Sequence, residues 1–133
     1  MRYFAYGTNM DAAGMRQRCP GATLIGTERL AGYRFVIARA GYAGLVPDPA
    51  SDVLGVLWSL TPDDVLALDA YEGIAEGLYR KATMTVAGGP ALVYVPADYS
   101  RGTPKPGYLA TVIAAARSHG LPDDYVRELE SWT

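Results

Sequence analysis

One cysteine and one histidine are all that this chain of 133 residues offers of the side chains that most often ligate metals or pair as nucleophile and base. With Cys19 alone no disulfide can form within the chain, and a cysteine-poor composition suits the cytoplasm. A zinc site draws on several Cys or His ligands, so neither a metal nor another cofactor is expected. An excess of one charge is missing too. Twelve Lys and Arg against fourteen Asp and Glu leave a net charge of −2, without the basic field that nucleic-acid binding needs. A small, nearly neutral ligand or a protein partner fits better. The chain does not open with a basic region and a long apolar stretch, and no apolar run elsewhere has the length that crosses a bilayer. The expectation is a soluble, cytoplasmic protein with no nucleic-acid or membrane partner. Phosphate-binding glycine patterns are also absent: there is no G-x-x-x-x-G-K-[ST], and no G-x-G-x-x-G after a strand.

What is present builds a core. Half of the residues are hydrophobic, enough for one domain over 1–133. Apolar and alternating runs predict strands at Arg2–Tyr6, Thr23–Arg29, Arg34–Arg39, Val53–Leu60, Tyr79–Val86 and Ala91–Val95, with a hairpin turn at Gly88-Gly89. Asp11 caps a helix that Cys19-Pro20 ends, with Met10 and Met15 spaced as a hydrophobic staple. Thr61-Pro62-Asp63-Asp64 opens a second helix, running to about Tyr71. A third spans the region from Pro106 to His119-Gly120, and Leu121-Pro122-Asp123-Asp124 starts a short last one reaching Trp132. Single helices among clustered strands describe a mixed α+β domain with a curved or barrel-like sheet. The Pro- and Gly-rich stretch from Pro96 to Gly107 has the composition of a flap over a site. Apolar strand faces leave room for two copies to pair as a homodimer.

Most candidate chemistry has a plainer reading. His119 precedes Gly120 at a helix end and reads as a C-terminal cation or surface residue, and Cys19 beside Pro20 as a small helix-end hydrophobe. Asp63-Asp64 and Asp123-Asp124 each follow a proline and complement a helix dipole. Gly41-Tyr42-Ala43-Gly44 is either a turn between strands or a backbone approach to a ligand. Two segments keep a chemical reading. Tyr6-Gly7-Thr8-Asn9 lies where a strand gives way to a helix, and amides exposed there hold a carboxylate or oxyanion, or simply form a capped turn. Glu72 ends an apolar helix, where the dipole disfavours an acid, and Gly73 and Gly77 follow it. Tyr71 and Tyr79 offer apolar walls that raise a carboxyl pKa toward a useful base; the alternative is a solvated helix-end acid, and Glu76 competes for the role.

Together these segments resemble the gamma-glutamylcyclotransferase-like (avirulence-induced-gene-like) family. Its opening strand Y-F-A-Y-G-[ST]-N-[LM] stands here as Tyr3 to Met10, and its D-x-x-E-G-x-x-x-G-x-Y as Asp69 to Tyr79. Gly55-Val56-Leu57-Trp58, the region of Tyr108, and His119-Gly120-Leu121-Pro122 with Tyr125 extend the likeness over nearly the whole chain. The resemblance implies a small mixed β-barrel with peripheral helices and a cavity on one side. It further implies that Tyr3, Phe4, Ala5, Tyr6, Gly7, Thr8 and Asn9 line a pocket for a gamma-glutamyl substrate, and that Glu72 is the acid/base. Tyr79 would position the substrate and Tyr108 form a wall, with Thr8 in place of the commoner serine.

A reaction of that kind needs no enzyme nucleophile, because the substrate's own α-amine attacks its γ-carbonyl and closes a five-membered ring. Two other readings stay open. One is a binding or regulatory module of the same fold without turnover; the other is an enzyme that removes a gamma-glutamyl group from a biosynthetic intermediate or a gamma-glutamyl-amine cross-link.

Overall fold

The computed structural model describes residues 1–133 and sets the opening apolar run at the centre of a five-stranded sheet. Strand β1 (Arg2–Ala5) pairs antiparallel with β3 (Ala43–Ser59) and parallel with β5 (Gly89–Pro96), while β2 (Thr23–Ile37) and β4 (Tyr79–Val86) are the edges. Covered on both faces, β1 buries Tyr3, Phe4 and Ala5, which is why its sequence is apolar without alternation. Four helices accompany the sheet: α1 (Ala12–Arg18), α2 (Pro62–Tyr71), α3 (Tyr108–Ser118) and α4 (Asp123–Glu130).

The fold is mixed α+β, but the sheet is not a closed barrel. Strands β2 and β4 come near each other without exchanging a hydrogen-bonded ladder. Closure needs two edges matched in tilt and register. Here β2 is committed along its length to β3, and β4 turns Arg80 and Lys81 to solvent, which blunts its edge.

The second and third expected strands are one. Gly32, at φ +84°, carries β2 through a bend where the register slips between Ala31 and Tyr33, so a glycine read as a boundary is a bulge. Its partner β3 begins ten residues before the expected Val53. Pro47 stands opposite Tyr33 and Asp52 opposite Ala31, so the residues between leave the ladder; Asp48 holds that excursion by accepting from the Ala50 amide at 3.0 Å and the Ser51 hydroxyl at 2.9 Å. The β4–β5 turn lies one residue early, at Ala87-Gly88, both with positive φ.

Helix starts follow their chemistry. Asp11 accepts from the Gly14 amide at 3.0 Å, and Met10 and Met15 are both buried beside that cap. At α2 the Thr61 hydroxyl accepts from the Asp64 amide at 3.2 Å while the Asp64 carboxylate accepts from the Thr61 amide at 3.0 Å. These two caps fix the helices that flank the loop after β1. The segment from Pro96 to Gly107 is tied to the end of β2 and the turn after it, the Gly102 amide donating to Ile37 O at 2.9 Å and the Lys105 amide to Gly41 O at 3.1 Å.

Candidate active site

Helix α2 ends in a glycine turn that explains the misplaced acid. Gly73, at φ +66°, lets its amide donate to Ala70 O at 3.2 Å and the Ile74 amide to Asp69 O at 3.1 Å, which is a Schellman closure with Glu72 as the C-cap. The turn holds Glu72 at the helix end, with its side chain lining a cavity of about 210 Å³. That is smaller than a site for a drug-sized ligand, so it fits a compact molecule or one end of a longer one.

Across the cavity, β1 runs into a single turn of 3₁₀ helix at Thr8–Met10. The Thr8 and Asn9 amides, at its start, donate to no main-chain carbonyl. Gly7 is required by packing: a Cβ there would lie 2.8 Å from the Tyr108 hydroxyl and 3.3 Å from Ala43 Cβ. Asn9 is 3% exposed and links the two halves of the site, its NH₂ donating to the Tyr3 hydroxyl at 3.0 Å and to Glu72 Oε1 at 3.2 Å. Arg18 donates to Asn9 Oδ1 at 2.6 Å, and Trp58 Nε1 fixes the Asn9 carbonyl at 2.9 Å.

Tyrosines make the rest of the wall. Tyr6 donates to Tyr94 O at 2.6 Å; Tyr79 donates to Ala43 O; the Tyr108 hydroxyl accepts from the Ala43 amide at 3.1 Å. Tyr94 donates to Asp69 at 2.7 Å, which gives the aspartate three residues before Glu72 a structural task. Burial pushes the hydroxyls of Tyr3, Tyr6, Tyr79, Tyr94 and Tyr108 above the usual phenol range, so they stay neutral. The same desolvation raises Glu72 to about 7, opposed by the Arg18 charge. A carboxyl there exchanges protons readily near neutral pH.

Nine expected residues share the cavity: Tyr3, Tyr6, Gly7, Thr8, Asn9, Tyr71, Glu72, Tyr79 and Tyr108. Phe4 and Ala5 do not line it. Phe4 points to the opposite face of β1, towards Gly55, and Ala5 is buried opposite Val56 in the β1–β3 ladder. Glu76 is exposed and outside the cavity, and no residue from Pro96 to Gly107 lines it. His119 Nε2 lies 2.7 Å from Met10 O, and Cys19 is buried with its thiol against Asp64 O, both in structural positions. Tyr42, Ala43, Leu78 and Tyr94 join the lining unannounced. Of these only Tyr42-Ala43 has a sequence signal, the glycine-flanked segment, which is a turn leading into β3 and faces the cavity.

The chain is similar to known proteins along most of its length. The model of the AIG2-like family matches residues 52–129. The gamma-glutamylcyclotransferase of Bos taurus is 27% identical over 144 residues, covering 97% of this chain and 77% of its own; that of Mus musculus is 26% identical with the same coverage. A solved gamma-glutamyl cyclotransferase superposes with a TM-score of 0.90 at 25% identity, covering 100% of this chain and 88% of the other.

Proposed function

We propose, from the premise that the chain belongs to the AIG2-like family, that it is a gamma-glutamylcyclotransferase-type enzyme with Glu72 as its acid/base. The observation that carries this reading is a single carboxyl, raised to about 7, hydrogen-bonded to Asn9 in a tyrosine-walled cavity beside the Thr8 and Asn9 amides, which no main-chain carbonyl occupies.

The small cavity takes the glutamyl end of the substrate. The amides and the Thr8 hydroxyl hold its α-carboxylate and fold the flexible chain toward a near-attack geometry. Glu72 removes a proton from the α-ammonium, freeing the nitrogen lone pair. That nitrogen bonds to the γ-carbonyl carbon, the bond from this carbon to the leaving nitrogen breaks as Glu72 returns its proton to the departing amine, and the ring nitrogen gives up its second proton to the released amine or to water, leaving the neutral lactam. The products are 5-oxoproline and a free amine or amino acid, with no covalent enzyme intermediate. The neutral tyrosine hydroxyls donate hydrogen bonds without competing for the proton. The single buried thiol suits a cytoplasmic setting.

The test is to incubate the protein with gamma-glutamyl amino acids, gamma-glutamyl amines and glutathione, and to follow 5-oxoproline by mass spectrometry. Formation of 5-oxoproline supports the reading and names the leaving-group class; ligand binding without product points to the binding-module alternative. Because the base must be ionised, kcat/KM should fall as pH drops through about 7. A profile flat from pH 5 to 8 would remove Glu72 from that role. Gly7→Ala should push Tyr108 and Ala43 away from the loop and lower kcat/KM on the order of 10²-fold, with the circular dichroism spectrum unchanged.

A further inference from the structure

Arg18 is held by two contacts outside its own helix. Its guanidinium stacks 4.2 Å over the Tyr71 ring, it donates to Asn9 Oδ1 at 2.6 Å, and it forms no ion pair with any carboxylate. Gly14, in the middle of the seven-residue α1, makes room for it. A Cβ there would lie 2.9 and 3.1 Å from the two guanidinium NH₂ nitrogens. Glycine inside a helix costs roughly 0.5–1 kcal/mol relative to alanine, and Gly14 has no positive φ to justify it. The space it leaves is taken up by the Arg18 guanidinium and, at 3.1 Å, by Oδ2 of the Asp11 cap.

We propose that Arg18 is a positioning residue for Glu72: clamped between the Tyr71 ring and Asn9, its guanidinium fixes which way round the Asn9 amide lies and so keeps an N–H donor on the Glu72 carboxylate. This rests on the reading of Glu72 as the acid/base and deepens it. An amide has one accepting end and one donating end, while guanidinium only donates. Turned over, Asn9 would set its oxygen against the Glu72 oxygens and its NH₂ against Arg18, two donor–donor or acceptor–acceptor clashes in a buried place. With Arg18 present, only the observed orientation satisfies all partners.

The charges around Glu72 leave this task to Arg18. Tyr71 and Asp69 come from its own helix, and Asp69 is already engaged by Tyr94 and by Lys81 at 3.2 Å. Glu76, in the loop that follows, is exposed. Tyr3 from β1, Tyr79 from β4, Tyr94 from β5 and Tyr108 from α3 are neutral. Arg18 from α1 is the cation whose charge bears on Glu72.

The experiment is a ¹³C NMR titration of the glutamate side-chain carboxyls in the substrate-free protein, with the Glu72 signal assigned by its loss in Glu72→Gln. It needs no turnover, so its outcome is independent of whether the cyclotransferase reading holds. Arg18→Met is expected to move the Glu72 midpoint upward by about one pH unit, and Arg18→Lys, which keeps charge but not the planar fork, to recover part of that. Gly14→Ala leaves every charge in place, yet should also move the midpoint upward by displacing the guanidinium. It serves as the folded reporter if Arg18→Met does not fold. Midpoints unchanged from the wild type in Gly14→Ala and in Arg18→Lys or Arg18→Met would overturn the proposal.

Discussion

Glu72→Gln is expected to lower turnover by about 10² to 10⁴-fold, the usual worth of a positioned acid/base, and at the same time to make the protein more stable at high pH. The two effects have one cause. Burial raises the folded-state pKa of Glu72 to about 7 from an ordinary value of 4.5, so between those limits the folded chain holds a proton that the unfolded chain has released. Stability from this group is full below the unfolded value and is lost as pH rises through about 7. The lost amount is about 3 kcal/mol, a large share of a typical 5–15 kcal/mol total. Glutamine has the same shape and never ionises. Urea unfolding at pH 5 and pH 9 should therefore show the Gln variant gaining on the wild type as pH rises, while 5-oxoproline formation collapses. Glu76→Gln, at an exposed position outside the cavity, should change neither quantity. Turnover near the wild-type level in Glu72→Gln would remove the assignment, and a stability difference independent of pH would mean the carboxyl is better solvated than its surroundings imply.

The parts of this molecule written in short-range chemistry are legible in the amino-acid sequence. The strand Tyr79–Val86 keeps its expected bounds because it pairs with β5 across a short hairpin. Thr61-Pro62-Asp63-Asp64 forms the expected capping box and Asp11 caps α1, because each depends on neighbours within four residues. Glu72 stands out for the same reason: an acid at a helix C-terminus before glycine opposes the local dipole, and such a conflict signals a task other than stability. What stays hidden depends on contacts between distant segments. Pro47 and Pro49 have the character of a loop, yet Pro47 pairs with Tyr33 and Pro49 lies in an excursion opposite Gly32 within the span of β3. Tyr94 lies in an ordinary buried run and becomes part of the site only because β5 pairs with β1. Phe4 is drawn toward the site by adjacency in a motif, although strand alternation turns it to the other face. Arg18 carries no motif at all, and the glycine that accommodates it has the look of a weak point in a short helix.

Gly55→Ala should be among the most damaging single-methyl additions in the chain. Gly55 lies on β3 beside the end of its antiparallel partner β1, and a Cβ there would sit 2.2 Å from Ala5 O, with Phe4 Cζ at 3.0 Å. The first of these atoms is main chain, so no rotamer change relieves the contact; the strands must separate. Overpacking a well-filled core typically costs about 1–3 kcal/mol and occasionally more, and a clash with backbone belongs at or above the upper end. Loss of the site should accompany loss of stability, since β1 leads directly into Tyr6 to Asn9. A drop of about 3 kcal/mol or more in urea-unfolding free energy is the expected result. Phe4→Ala in the same background should not restore it, because the phenyl ring is the lesser obstacle and its removal opens a cavity of its own. Recovery in that double variant would show that the glycine serves Phe4, whereas continued loss ties Gly55 to the approach of β1 itself, and through β1 to the placing of the Gly7–Asn9 loop opposite Glu72.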